Sequence, residues 1–313
     1  SKPGTAKSKL ISAGVYHRMR NHGNLVQYNR GEFSANLVRS VFGDLFYRRV
    51  DVKDRKVKMY TNEAGFDVFQ QALKADALNS GLTFMADSGN RYLQETTGCE
   101  IYASPIEAAF IENPILIPYG LFSASPVKAL KNKYLMPEAS RVDFRVEEGE
   151  LFIDGACFKI LPLPGHSLGH TGIITPDEIL FAGDSLTSID ILKGFPFLYL
   201  ADVEKHLDTL NTLRGLNIEQ VFLAHGGLQD NISEVIDYNY QILMNLLQYI
   251  LEVIGQPRER EEILPLMVEK FNLPLNRNQF VLILASLSAC LSYLCNTKQA
   301  KVYTENNRLL FRR

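Results

Sequence analysis

The sequence predicts an α/β fold followed by a small helical module that ends in a β-ribbon. Three observations predict it. Apolar runs at 161–163, 179–182 and 221–224 each read as a buried strand. Each is followed at its C-terminal end by His or Asp beside glycine, and strand ends are where such folds display chemistry. The last 60 or so positions instead read as helices closed by two short strands around an Asn-Asn pair.

Whole-chain properties bound the function. A length of 313 residues suits one large domain plus a small one. The hydrophobic share of 46% and charged share of 22% are ordinary for a water-soluble globular chain. A net charge of −2 supplies no global attraction to nucleic acid or to an anionic membrane. No apolar run reads as a membrane span of roughly 20 residues. The stretch 1–9 is basic and polar, with no apolar signal core behind it. Cys99, Cys157, Cys290 and Cys295 show no CxxC spacing, which points to a reduced, cytoplasmic setting. Cys290 and Cys295 fall in an apolar helical run and read as core.

In chain order, 10–16 and 24–28 read as short strands, and 45–52 with 56–60 as a hairpin around Lys53-Asp54-Arg55. Phe66, Val68, Phe69, Ala72 and Leu73 have near-helical spacing, so 66–78 is predicted helical. A short helix follows near 91–95 and a strand at 100–104. Ser104 then caps a helix over 105–111 with Pro at its first position. The Pro-rich stretch 113–140 reads as an irregular surface excursion. Strands are predicted at 142–146, 150–153 and 157–160.

An amphipathic helix over 202–213 puts Val203, Leu207, Leu210 and Leu213 on one face, which leaves His206 toward solvent. A long helix begins near Asn231, where Asn231-Ile232-Ser233-Glu234 has capping-box spacing, and runs to about 255. The polar stretch 256–261 reads as a linker. Beyond it come helices over 263–271 and 279–294, then strands at 300–303 and 308–311. Asn306-Asn307 tolerates the positive φ of a tight turn, giving a winged-helix-like end. The domains are therefore 1–255 and 256–313.

His and Asp at successive strand ends form a metal-site pattern, because imidazole nitrogen and carboxylate oxygen together suit zinc, iron or manganese. The run Pro164-Gly165-His166-Ser167-Leu168-Gly169-His170-Thr171-Gly172, with Phe181-Ala182-Gly183-Asp184 and Ala224-His225-Gly226, resembles the metallo-β-lactamase superfamily. Order and spacing are similar to its hydrolase branch, which includes glyoxalase II-like thioesterases. The terminal module resembles the tail of β-lactamase-like endoribonucleases. The resemblance implies an αββα sandwich with a dinuclear metal site, zinc first among the candidates. It implies His166 on one metal, Asp184 bridging both, His225 on the second, and His170 supporting the ligands from behind. In such enzymes a metal-bound hydroxide attacks a carbonyl or phosphoryl centre.

One half of the pattern departs. The superfamily signature THxHxDH belongs just before Gly89, where this chain reads Leu82-Thr83-Phe84-Met85-Ala86-Asp87-Ser88. Thr83 and Asp87 match; Phe84, Met85 and Ser88 stand where histidines belong, and the segment is about two residues short. The expected ligand set is thus Asp87, His166, Asp184 and His225, holding one or two ions, with Asp87 also the one catalytic candidate. Asp87 reads equally as a helix cap, and Asp184 has a capping reading too. His17 and His22 are surface histidines or substitute ligands. The aromatic stretch 191–199 reads as a substrate loop or as packing.

The expected function is metal-dependent hydrolysis of an ester-type bond in a small molecule, with an incomplete metal site. A non-catalytic binding scaffold is the alternative, and an endoribonuclease a further one. The basic side chains of the terminal module (Lys298, Lys301, Arg308, Arg312 and Arg313) are diluted by glutamates, so nucleic acid is not favoured. No membrane partner is expected, and a homo-oligomer is.

Overall fold

Strands form in this chain where apolar residues run together between turn formers, and the parallel pairs need helices to carry the chain back. The computed structural model describes residues 100–313 apart from 133, 154, 155, 177, 219 and 225, together with 90–91, 94–95 and the strand backbones at 9–10, 50–53 and 56–59. The expected strand at 24–28 and helix at 66–78, His17, His22, Asp87 and His225 all lie outside the described residues.

β1 (Lys9–Leu10) pairs in parallel with β4, and the hairpin β2 (Val50–Lys53) and β3 (Lys56–Met59) closes with Lys53 opposite Lys56, inside the predicted hairpin. β4 (Glu100–Ala103) pairs on its other edge with β5 (Phe144–Arg145), also in parallel. Only these two residues of the predicted 142–146 strand pair. Between them lies α1 (Pro105–Glu112), capped by Ser104, whose side chain accepts from the Glu107 amide as the sequence predicts.

The stretch 113–140 corrects the sequence reading. It contains α2 (Leu116–Phe122) and a 3-10 turn over Lys128–Leu130, and it buries Ile117, Leu130 and Leu135. Its apolar residues find partners on a C-terminal helix, which no local pattern reveals.

The main sheet has six strands. β6 (Gly149–Ile153), β7 (Ala156–Pro162), β8 (Thr171–Ile174) and β9 (Ile179–Gly183) form an antiparallel meander. β10 (Gln220–Leu223) then lies parallel to β9, with β11 (Gly227–Gln229) antiparallel at the edge. The β9–β10 crossover carries α3 (Ile189–Gly194) and α4 (Val203–Arg214). α4 and the start of α5 (Ile232–Val253) bury Leu210, Leu213, Val235 and Ile236 against Leu180, Ala182, Val221 and Leu223 of the sheet. Asn231 caps α5 by accepting from the Glu234 amide, as the capping spacing predicts.

A second core joins α5 to α6 (Arg260–Lys270) and α7 (Arg277–Asn296). It takes in Leu192, Phe197 and Leu198, so this part of the aromatic stretch 191–199 is packing rather than open loop. The cluster runs across position 255: Leu246, Leu247 and Ile250 on one side meet Ile263, Leu287 and Leu294 on the other. α7 is long and apolar enough, by length and composition, to cross a membrane, which the sequence reading overlooked; its Ile283, Leu287, Leu291 and Leu294 are buried in this core. β12 (Lys301–Glu305) and β13 (Arg308–Arg312) form the predicted ribbon, and Asn306 and Asn307 take positive φ in its turn. The ribbon is fastened back by Arg258, which exchanges backbone hydrogen bonds with Phe311, and by the Arg313 amide, which donates to Ile254.

Candidate functional site

The β7–β8 connection, 163–170, holds the first predicted ligand. Its backbone folds on itself: the Leu163 amide donates to the His170 carbonyl and the Gly165 amide to the Ser167 carbonyl. Gly165 has φ of 137°, a region glycine enters readily and other residues rarely. An added Cβ would also stand 2.5 Å from the Cα and Cβ of His206 on α4. The close approach of loop to helix therefore requires glycine here.

Neighbouring elements hold the loop on both sides. From α1, the buried Glu107 carboxylate accepts from Ser167 Oγ at 2.7 Å and from the Gly169 amide at 3.0 Å, through one oxygen. Ser104 Oγ donates to the Gly169 carbonyl at 2.7 Å. From the other side, Thr209 Oγ1 donates to the Pro164 carbonyl at 2.7 Å, and the Ala201 and Asp202 amides both donate to Gly165. A loop with this many fixed partners presents His166 in one orientation.

His166 is buried, and its Nδ1 lies 2.8 Å from the Tyr199 carbonyl. A carbonyl only accepts, so Nδ1 carries the proton and Nε2 keeps its lone pair, the arrangement that metal-binding histidines use. Nε2 stands 3.8 Å from Oδ2 of Asp184, the residue just past β9. Two ligands each about 2 Å from one ion stand no more than about 4 Å apart, so this pair fits a shared cation. Burial pushes the Asp184 carboxyl well above the usual carboxylate range. A cation beside it would offset that cost.

His170 sits behind the pair. Its Nε2 donates to the Ala182 carbonyl at 3.1 Å, the carbonyl that Ser185 Oγ also reaches at 2.7 Å, so His170 braces the end of β9. Burial, aided by repulsion from His166 whenever that ring is protonated, lowers its pKa to about 3, which keeps it neutral. This agrees with a supporting place for it.

His206 is a correction. It is 1% exposed, not solvent-facing. It lies three residues after Val203 and four before Leu210, on the same stripe of α4, and the loop at Gly165 covers it. Neither ring nitrogen has a hydrogen-bond partner among the described residues, and burial, followed by repulsion from His166 whenever that ring is protonated, lowers its pKa to about 3. Sequence reading missed it because a histidine on an amphipathic helix usually marks the wet face. Glu107 was also missed, and its one signal was its place three residues after the Ser104 cap.

The structure thus brings together two of the four predicted ligands, His166 and Asp184; Asp87 and His225 are outside the described residues. Among the described residues no group of three or more His, Cys, Asp or Glu side chains is placed to hold a metal ion.

Residues 88–225 match the family model of the Metallo-beta-lactamase superfamily. The chain is 33% identical over 129 residues to a hydroxyacylglutathione hydrolase of Idiomarina loihiensis, covering 41% of this chain and 48% of that protein. It is 27% identical over 135 residues to an atrochrysone carboxyl ACP thioesterase of Pseudocercospora fijiensis, covering 42% and 39%. The chain spans only 34% to 39% of the length of the first curated relatives it matches. A metallo-beta-lactamase family protein of Thermus thermophilus superposes with a TM-score of 0.54 at 18% identity, covering 71% of this chain and 74% of that one. The family match lies within residues 88–225, and the superposition shows an α/β fold shared with the Thermus thermophilus protein.

Proposed function

We propose that the protein is a metal-dependent hydrolase acting on an ester-type bond, with thioesters the first class to test. The observation that carries the reading is the His166–Asp184 pair: a buried imidazole with its lone pair toward a buried carboxyl, 3.8 Å apart, on the connections that follow β7 and β9. His166 and Asp184 would hold a divalent cation, zinc before iron or manganese, with Asp87 and His225 supplying further ligands by their place in the sequence. A cation bound there lowers the pKa of a water ligand and polarises an acyl oxygen. The chain's own residues do the rest. The Tyr199 carbonyl keeps the proton on Nδ1 of His166, His170 braces the β9 end that presents Asp184, and Glu107 with Ser104 holds the loop in place. The names of the relatives, a hydrolase and a thioesterase, support the reaction class.

In the same reading, 256–313 is a winged-helix-like module on a 1–255 hydrolase domain. The order of α6, α7 and the β12–β13 ribbon supports it.

Elemental analysis of the purified protein, paired with thioester hydrolysis, tests the proposal. We expect about one ion per chain or two, lost in His166→Ala, with hydrolysis lost alongside. Metal far below one ion per chain after incubation with zinc, iron and manganese in turn would reject the hydrolase in favour of a binding scaffold.

A further inference from the structure

A groove of about 440 Å³ lies between the 113–140 excursion and the start of α7, within the size range of small-molecule sites. Its walls are Val127 and Leu130 on one side and Leu275, Phe280 and Val281 on the other, with Asn276 and Arg277 at the edge. Val127, Leu275 and Phe280 are 53%, 48% and 40% exposed, an unusual concentration of large apolar side chains facing water. The walls are pinned together: Asn132 Nδ2 donates to Asn278 Oδ1 at 2.9 Å, and the reverse amide contact is 3.4 Å. The groove is therefore formed before any ligand arrives.

Its place in the fold says what it would hold. Leu130 and Val281 belong to a buried cluster with Leu135 and Leu282, and Tyr199 packs on that cluster. The carbonyl of this same Tyr199 fixes His166. The Leu200 amide donates to Ser286 Oγ at 3.0 Å, tying α7 to the same segment. Tyr199 thus packs on the cluster beneath the groove and, through its carbonyl, holds His166. Its lining is apolar apart from Asn276 and Arg277 at the edge, which suits an apolar chain with a polar or anionic group at its end.

We infer that this groove binds the aliphatic acyl chain of the substrate, making the preferred substrates medium-chain acyl esters or thioesters; the inference rests on the hydrolase reading. Each methylene moved from water into the groove strengthens binding about fourfold until the chain outruns it.

Two measurements test it. Decanoate is titrated calorimetrically into the full chain without metal, and into Val127→Glu and Phe280→Glu, with Val127→Ser as a milder variant should either fail to fold. Both positions are exposed, so unchanged melting temperatures are expected, while decanoate affinity falls at least tenfold. Equal affinity in wild type and variants, or no binding to wild type, overturns the inference. Separately, acetyl, hexanoyl and decanoyl thioesters of one thiol are compared on the metal-loaded wild type. KM is expected to fall steeply with length, with decanoate inhibiting competitively; a flat KM overturns it. If no thioester is hydrolysed while decanoate binding still depends on Val127 and Phe280, the hydrolase reading falls and the acyl-chain site stands. If thioesters are hydrolysed with no dependence on length, the reverse holds.

Discussion

His166 Nε2 faces Asp184 Oδ2 across 3.8 Å, the two standing on the connections that follow β7 and β9, strands separated in the sheet by β8. The pair has opposite needs in the protein without metal and with it. Burial raises the Asp184 carboxyl pKa, so above the unfolded value of 3.8 the folded state is penalised for either holding the proton or burying the charge. Replacing Asp184 by Asn removes the ionisable group and nearly keeps the shape. Asp184→Asn is expected to raise the melting temperature of the metal-free protein at neutral pH and to abolish the stabilisation that zinc gives the wild type. A calorimetric scan with and without zinc reads both; a lower melting temperature without metal would contradict this account.

Gly165 and Gly149 separate two costs that positive φ usually mixes. Both have strongly positive φ, 137° and 135°, but a Cβ on Gly165 meets His206 at 2.5 Å whereas one on Gly149 meets nothing within 4 Å. Gly149→Ala should cost only the backbone strain, roughly 1–3 kcal/mol. Gly165→Ala should cost more and displace His166, so metal affinity falls too. Urea unfolding of both variants, with zinc binding alongside, measures the difference.

Glu107 holds the ligand loop through one oxygen that accepts from Ser167 and Gly169. Glu107→Ala strands two buried donors, a loss of about 2–5 kcal/mol. Glu107→Gln keeps an oxygen that can accept both and is expected to lose far less. Should the two variants prove equally unstable by urea unfolding, the carboxamide oxygen does not serve.

Acid stability follows from His170 and His206, each lowered from 6.5 to about 3. The unfolded chain takes up these protons below pH 6.5 and the folded chain does not. Stability is therefore intact above pH 6.5, and each group subtracts about 1.4 kcal/mol per pH unit as pH falls from 6.5 toward 3. Asp184, with its pKa raised, acts in the opposite sense above pH 3.8. In metal-free protein, His206→Gln should flatten the acid slope and Asp184→Asn should steepen it. Unfolding titrations between pH 4 and 7 give the slopes directly.

Most of this architecture was legible from periodicity. β6, β7, β9 and β10, the α4 and α5 helices and the Asn306-Asn307 turn come out within a few residues of expectation, because each satisfies a local rule of spacing or turn chemistry. What was not legible depended on distant partners. Leu130 and Leu135 are buried by α7, more than a hundred residues on. His206 is buried by a glycine loop that no helical wheel displays. In the candidate site, the Gly165-His166 and Gly183-Asp184 pairs announced themselves through strand-end chemistry. Glu107, a carboxylate reaching across about 60 residues to hold the loop of His166, carried only its spacing from the Ser104 cap.

The core shared across position 255 bears on how the molecule would respond to a cut. Leu246, Leu247 and Ile250 interlock with Ile263, Leu287 and Leu294, and the Arg258–Phe311 pairing fastens the ribbon beside them. A single protease nick at 256–257 would break the peptide bond and leave that interface whole. The two fragments would stay associated and unfold together, behaving as complementing halves of one cooperative unit.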